Sequence, residues 1–203
     1  SENIDEKQKI EKGLKINAAR IFDFDEIEND ENPRLQTGIG EIDRVLGGGI
    51  IRGSLLLLSG EPGIGKSTIV AQIARALGEK GQIVLYASGE ESGSQIKDRL
   101  KRIGCDLKKI KFANETNVLK IIAAASELKP DLLIVDSIQT VHSIESEGEA
   151  GSIAQIRASA ANFLELAKQK NIPVVLIGHV TKDGLRCMGC AVVRGMLVMA
   201  VYA

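Results

Sequence analysis

Apolar residues along this chain fall into two patterns, short unbroken runs and longer segments with helical spacing. Four of the runs leave no room for a polar face, which is typical of parallel strands buried on both sides. These runs are Leu55–Leu58, Ile83–Ser88, Leu132–Ser137 and Val174–Gly178. Because helix-periodic segments lie between them, the sequence predicts an α/β fold, with a mostly parallel sheet flanked by helices on both faces.

Helical spacing also predicts where the connecting helices lie. The predicted helices are Lys66–Leu77, Ser94–Ile103, Asn117–Leu128 and Ile153–Lys170, and a short strand is predicted at Ile110–Ala113. The helix after Ser94 has apolar residues on one face (Ile96, Leu100, Ile103) and basic residues predicted to point outward (Lys97, Arg99, Lys101, Arg102). We expect Thr37 to cap a further short helix. Its predicted apolar face is Ile39, Ile42, Val45 and Leu46.

The chain is predicted to divide into a charged amino-terminal arm, residues 1–36, and a core, residues 37–203, whose tail is atypical from about residue 185. Lys7–Ala19 has the spacing of a short helix, and Asp23–Asn32 is acidic and predicted to be a loop. The arm has two interpretations, a solvated linker or a segment that packs or bridges subunits.

A glycine-rich segment lies between the first apolar run and the first long helix. It has the order G-x-x-x-x-G-K-[ST] and comprises Gly60, Glu61, Pro62, Gly63, Ile64, Gly65, Lys66, Ser67 and Thr68. A strand, such a loop and a helix in this order are typical of a phosphate-binding loop, in which backbone N–H groups and the helix dipole face an anion. We expect Lys66 to reach the β- and γ-phosphates of ATP and the Ser67 hydroxyl to ligate Mg²⁺.

Polar residues follow the other buried runs, where ligands of a parallel sheet bind. Glu90 and Glu91 come after the second run, and at least one is predicted to orient or deprotonate the attacking water. The alternative, compatible with the first, is that they lead the next helix, where a negative charge is favourable. Asp136 ends the third run, the position of a residue that holds the Mg²⁺ water shell. His179 follows the fourth run as a candidate γ-phosphate sensor or a structural hydrogen-bonding residue.

The composition of the chain limits which kinds of partner and which cellular location are expected. The chain has 44% hydrophobic and 26% charged residues and a net charge of −1, so a nucleic-acid partner would need a local basic face. The aromatic fraction of 3% argues against a base-stacking platform. No apolar run approaches the ~20 residues of a membrane span, and the first residues lack a signal-peptide core, so we expect a cytoplasmic protein without a membrane partner. Cys187 and Cys190 form a lone C-x-x-C for which no metal role is predicted.

Several motifs resemble the bacterial RadA (Sms) branch of the RecA-like P-loop ATPases. They are Thr37–Leu46 followed by three glycines, Ser88–Ser92 with Gln95–Lys97, Asp136–Thr140, Gly151–Arg157 and Gly178–Gly184. The resemblance runs from about Leu35 to Gly184. It implies a RecA-like fold and a DNA repair and recombination ATPase that uses ATP and Mg²⁺.

The same resemblance implies partners and residue roles. Members of this family bind single-stranded or branched DNA, form hexameric rings and promote branch migration beside the strand-exchange recombinase. Carried over by position, Lys66, Ser67 and Thr68 bind phosphate and Mg²⁺, Glu90 positions the water with Glu91 as second candidate, and Asp136 and His179 keep the roles given above. The loops Ser143–Ser152 and Thr181–Gly189 correspond to regions turned toward DNA, with Arg157, Lys182 and Arg186 as basic candidates.

Departures from the family pattern leave alternatives open. The amino-terminal four-cysteine zinc finger, the Lys-Asn-Arg-Phe-Gly motif and the carboxy-terminal protease-like domain of the family have no counterpart in these residues. Cys190, Ala191, Arg194, Gly195 and Val198 replace other residues of a family stretch. Because the missing motif supplies basic residues to a neighbouring nucleotide, one alternative is a nucleotide-binding oligomerisation module with little turnover. Another is a RecA-superfamily ATPase of the clock or signalling type. Met196–Ala203 is apolar enough for a buried strand, or for a sticky end if unpaired.

Overall fold

The fold is taken from a computed structural model that describes residues 23, 34–144, 146, 148–179, 190–193 and 196–201. Its strands are β1 (Leu55–Gly60), β2 (Val84–Ser88), β3 (Ile110–Asn114), β4 (Leu132–Asp136), β5 (Val174–His179), β6 (Cys190–Val193) and β7 (Met196–Val201). Its helices are α1 (Gly40–Val45), α2 (Lys66–Glu79), α3 (Gly93–Arg102), α4 (Val118–Leu128) and α5 (Ile153–Lys170), with a 3-10 turn at Leu107–Lys109. The predicted bounds of α5 are confirmed, and the other predicted elements that fall within the described residues form within a few residues of their expected ends.

The strands form one seven-stranded sheet in the order β3-β2-β4-β5-β1-β7-β6. The five strands β1 to β5 run parallel, while β7 pairs antiparallel with β1 and β6 antiparallel with β7. The predicted mostly parallel α/β sheet is therefore confirmed. The apolar segment that begins at Met196 forms a strand, as one of its two predicted outcomes required, and the Met196 and Val198 side chains are buried.

Each face of the sheet carries its own hydrophobic core, and this explains the unbroken apolar runs. Alternate strand residues such as Leu56, Leu58 and Ile134 pack with α1, α2 and α3. Their neighbours such as Leu133, Val135 and Leu176 pack with α4 and α5 on the other face. A residue on either face of these strands is thus removed from water, so every position favours an apolar side chain.

Side chains at the helix starts decide how the loops enter the helices. Ser92 caps α3 in a capping box with Gln95, Asn117 caps α4, and Ser152 caps α5. The prediction that Thr37 caps the first helix is wrong, because Ile39 occupies the cap position without a side-chain bond. Thr37 is instead buried, and its backbone N–H donates to Asp43 Oδ1 at 2.8 Å. Val45, expected on the apolar face, is 37% exposed.

Register places the carboxyl ends of the parallel strands at one edge of the sheet. Gly60 at the end of β1 lies opposite His179, Ser88 at the end of β2 opposite Asp136, and Asp136 opposite Ile177. The residues that follow these strands therefore emerge together, where parallel sheets bind their ligands.

Several sequence predictions fall outside the part of the chain that the structure describes. They are the helix at Lys7–Ala19, the acidic stretch 24–32, Lys182, Arg186, Cys187 and the side chains of His179 and Cys190. The boundary between arm and core stays a prediction. Among the described residues, no helix has the length and apolar character needed to cross a bilayer.

Candidate functional site

The glycine-rich loop joins β1 directly to α2, as the strand, loop and helix pattern predicts. Gly63 and Gly65 have φ angles of 79° and 103°, a conformation that L side chains rarely adopt, and a Cβ at either position would meet nothing within 4 Å. Glycine is needed there for its backbone freedom and not for space. Gly60 differs, since a Cβ at this position would lie 3.2 Å from Ile64 and 3.3 Å from Met196, so here the neighbours leave little room.

Lys66 is the first residue of α2, and its side chain folds back over the loop. Its Nζ donates to the carbonyl oxygens of Gly60 at 2.8 Å and Glu61 at 2.9 Å, and the residue is only 5% exposed. Burial lowers the pKa of the Lys66 ammonium, and the charges of Asp136 and Glu90 oppose that shift. The ammonium is thereby held at the centre of the loop, where a phosphate would lie.

One cavity of about 330 Å³ opens beside this loop and collects the acidic residues of two other strands. Its lining comprises Pro62, Gly63, Gly65, Lys66, Ser67, Thr68, Glu90, Glu91, Arg99, Asp136 and Ile177. The structure thus brings together Lys66, Ser67, Glu90, Glu91 and Asp136, which sequence reasoning had selected separately. Ser88, buried at the end of β2, fixes the two glutamates, because its Oγ accepts from the backbone N–H of Glu90 at 3.3 Å and of Glu91 at 3.2 Å.

Asp136 forms the buried acidic end of the cavity, with 6% of its surface exposed. Burial raises the pKa of its carboxyl, and hydrogen bonds from the Tyr86 and Ser67 hydroxyls act in the opposite direction. A carboxylate beside a hydroxyl is an oxygen donor set that suits Mg²⁺. No group of three or more His, Cys, Asp or Glu within the described ranges could hold a metal by itself. The residues present therefore fit an ion held by Ser67 and Asp136 together with phosphate and water.

The two glutamates have different surroundings. Glu90 Oε2 accepts from Ser137 Oγ at 3.3 Å, whereas Glu91 Oε1 forms an ion pair with Arg99 Nη2. The prediction that Arg99 points outward is wrong: its side chain is 20% exposed and lines the cavity. Neither glutamate caps the next helix, since Ser92 holds the cap position.

Sequence reasoning assigned no role in this site to Tyr86, Ser137 or Arg99. Tyr86 was part of an apolar strand, and nothing in that pattern marks a hydroxyl that reaches the neighbouring strand. Arg99 offered a weak signal, because it lies three residues after Ile96 and four before Ile103, a spacing that shares one helix face. Ser137 directly follows Asp136 through a cis peptide bond, and only the structure places it beside Glu90.

Of the predicted DNA-contacting residues, only Arg157 lies in the described part of the chain, and it does not line this cavity. Arg157 is exposed on α5, and Lys182 and Arg186 lie outside the described residues.

The polar loop before α5 is anchored by the buried Gln155. Its side-chain amide bonds the backbone of Ser143, Ser146 and Gly148.

Comparison with known proteins adds an independent result. Residues 26–185 match the sequence model of the AAA domain family. The chain is 45% identical over 180 residues to a DNA repair protein RadA of Brucella abortus, covering 86% of this chain and 38% of that protein. It is 44% identical over 158 residues to the RadA of Bacillus subtilis (78% and 34%) and 42% identical over 166 residues to that of Haemophilus influenzae (82% and 36%). The chain thus spans little more than a third of the length of these relatives.

Proposed function

Because this chain belongs to the AAA domain family and is a RadA-like P-loop ATPase fragment of the RecA-like class, we propose that it binds and hydrolyses ATP within a DNA repair protein. The observation that carries the proposal is the single cavity shared by the phosphate loop, Lys66, Glu90 and Asp136. A cation at the loop and carboxylates at the far side are the groups that phosphoryl transfer to water requires.

Each residue of the cavity has a separate role in this proposal. Lys66 and the loop N–H groups bind the phosphates and offset their negative charge. Ser67 and Asp136 would hold Mg²⁺, which would neutralise part of the phosphate charge. Glu90 orients the attacking water and accepts its proton. The buried position of Lys66 and Asp136 keeps bulk water from screening these interactions.

Two variants test the ATPase proposal. Lys66→Ala should abolish MgATP binding, because the central cation of the loop is lost. Glu90→Gln should retain binding and lose about a hundredfold or more of turnover, the usual contribution of a general base. Lys168→Ala and Glu127→Gln are matched controls, since both residues are exposed on other helices. Binding is measured by titration calorimetry and turnover by phosphate release. Undiminished hydrolysis by Glu90→Gln would contradict the assignment of the base.

The finer functions are proposed on the resemblance and on the relatives' names as DNA repair proteins. We propose that single-stranded DNA stimulates the ATPase, that the protein assembles as a hexameric ring, and that it drives branch migration with a recombinase. Arg157, Lys182 and Arg186 are the proposed DNA contacts, and His179 the proposed γ-phosphate sensor.

Measuring turnover and mass with and without single-stranded DNA tests these functions. Stimulation that weakens as salt rises supports DNA coupling. Binding of MgATP with slow turnover that DNA does not change would favour the alternative, an oligomerisation module. Stimulation lost in Arg157→Ala and kept in Lys168→Ala would support Arg157 as a contact.

A further inference from the structure

Arg99 and Glu91 form an ion pair inside the lining of the nucleotide cavity. Arg99 Nη2 contacts Glu91 Oε1, and the two side chains are 20% and 28% exposed. Side chains of a helix lean toward its amino terminus, so a long side chain on α3 can reach the carboxylate that precedes the helix. Ile96 and Leu100, both buried, fix the face of α3 on which Arg99 lies. The pair is therefore built into the packing of α3.

Glu90 has no such partner, although it is the adjacent residue. Its side chain accepts a hydrogen bond from Ser137, and the described part of the chain has no cation within ion-pair distance of it. A carboxylate paired with arginine has its charge offset and an oxygen occupied, which makes it a poor acceptor for a proton. Glu90 lies in the same cavity without an arginine partner among the described residues.

The charge balance of the cavity gives the pair a second consequence. Three carboxylates, Glu90, Glu91 and Asp136, line a cavity that must admit a polyanionic nucleotide, and its lining cations are Lys66 and Arg99. If Glu91 lost its partner, an uncompensated negative charge would face the phosphates. Within one cavity, such repulsion opposes the binding of the nucleotide.

We infer that Arg99 is a positioning residue of this site: it holds Glu91 and offsets its charge, which leaves Glu90 as the carboxylate that acts on the attacking water. The inference rests on the proposed ATPase function and adds to it a division of labour between the two glutamates. It also assigns a role to an arginine that does not belong to the phosphate loop.

The experiment measures binding and turnover separately in four variants of the full chain. Binding is measured with methylanthraniloyl-ATP and Mg²⁺, and kcat and KM by phosphate release. Arg99→Gln should weaken binding about tenfold or more, with a smaller fall in kcat, because Glu91 then repels the phosphates. Arg99→Lys should keep most of the affinity that Arg99→Gln loses, since lysine has the positive charge but lacks the paired N–H groups of the guanidinium. Glu91→Gln should lower kcat less than about tenfold, against about a hundredfold or more for Glu90→Gln.

The double variant Arg99→Gln, Glu91→Gln distinguishes charge compensation from a merely structural role. Removing the carboxylate as well should recover binding toward that of the unmodified chain, so the two effects will not add. Arg102→Gln is the matched control, because Arg102 is exposed on the same helix and does not line the cavity. Thermal unfolding is recorded for every variant. If Arg99→Gln does not fold, the inference is tested instead by Arg99→Lys and by comparing the turnover of Glu91→Gln with that of Glu90→Gln.

Two results would overturn the inference while leaving the ATPase proposal intact. One is MgATP binding by Arg99→Gln that matches Arg102→Gln. The other is a loss of turnover in Glu91→Gln as large as that in Glu90→Gln. Failure of the unmodified chain to bind MgATP would instead overturn the proposed function, and this inference with it.

Discussion

The Tyr86 hydroxyl donates a hydrogen bond of 2.8 Å to Asp136 Oδ2, and both side chains are buried. The two residues lie on the adjacent strands β2 and β4, in which Ser88 is the register partner of Asp136. Burial raises the pKa of the Asp136 carboxyl, and the hydrogen bond from Tyr86 counteracts this rise. Tyr86 therefore helps to keep Asp136 ionised at the place where the proposed Mg²⁺ would bind.

Tyr86→Phe removes this hydroxyl and leaves the ring in place. Asp136 then loses a partner, so we expect the free energy of unfolding to fall by about 2 kcal/mol, the usual cost of leaving a buried charged group short of a hydrogen bond. The Mg²⁺ concentration needed for half-maximal ATP binding should rise. Urea unfolding and a Mg²⁺ titration measure the two effects. Unchanged values in both would show that the hydrogen bond contributes nothing.

Asp136→Asn should stabilise the chain without nucleotide or metal. Because burial raises the pKa of Asp136 in the folded chain, the folded state binds this proton more tightly than the unfolded state. The carboxyl therefore disfavours folding increasingly as pH rises from its ordinary pKa of 3.8 toward its raised folded-state pKa. We expect a gain of roughly 1 kcal/mol at neutral pH, as for other replaced site residues.

The same argument fixes the pH dependence of that gain. Below 3.8 the carboxyl is protonated in both states, so the difference between Asp136→Asn and the unmodified chain should vanish. Urea unfolding at a series of pH values checks this. A gain that stays constant down to acidic pH would contradict the electrostatic explanation.

Ser137→Ala tests the support of Glu90. The Ser137 hydroxyl donates to Glu90 Oε2 at 3.3 Å, and without it the carboxylate is free to rotate away from the water. We expect kcat to fall about tenfold, a loss of orientation smaller than loss of the base itself. The Kd for MgATP should change little. Ser126→Ala on α4 is the control, and an equal kcat in both variants would exclude the role of Ser137.

Gln155→Leu tests the anchor of the polar loop before α5. Its amide bonds Ser143 N–H at 2.8 Å and the carbonyls of Ser143, Ser146 and Gly148 at 3.1, 2.5 and 3.3 Å. Leucine removes the acceptor of the buried Ser143 N–H and three bonds to loop carbonyls, so we expect a loss of about 2 kcal/mol in unfolding free energy. Hydrogen exchange should accelerate at residues 143–149. Gln169→Leu is the control, because Gln169 is exposed on the same helix, and it should change neither the unfolding free energy nor the exchange rate. Equal values for the two variants would contradict the prediction.

The sequence predicts the sheet and the phosphate loop because their signals are local. Unbroken apolar runs require burial on both faces, and the loop needs glycine where φ is positive, as at Gly63 and Gly65. The loop glycines fix the position of Lys66, and the parallel strands fix the positions of Glu90 and Asp136. Periodicity alone therefore gives the main elements and the edge at which they end.

The rest depends on contacts that periodicity does not encode. The charge pattern of α3 predicts that Arg99 points outward, but the length and lean of its side chain carry it to Glu91 in the cavity lining. Tyr86 reads as one more apolar strand residue until strand order puts β2 beside β4. Thr37 has the chemistry of a cap, yet the helix begins at Gly40, and Thr37 Oγ1 accepts from the Ile39 N–H at 3.2 Å ahead of it.

The antiparallel strand β7 has a practical consequence for recombinant work. It covers one edge of β1, and its Met196 lies against Gly60 at the start of the phosphate loop. A shortened expression clone that stops before residue 190 would strip that edge of its hydrogen-bonding partners and invite self-association. Boundaries for crystallisation or screening should therefore be drawn after Val201, even though the most recognisable motifs end well before it.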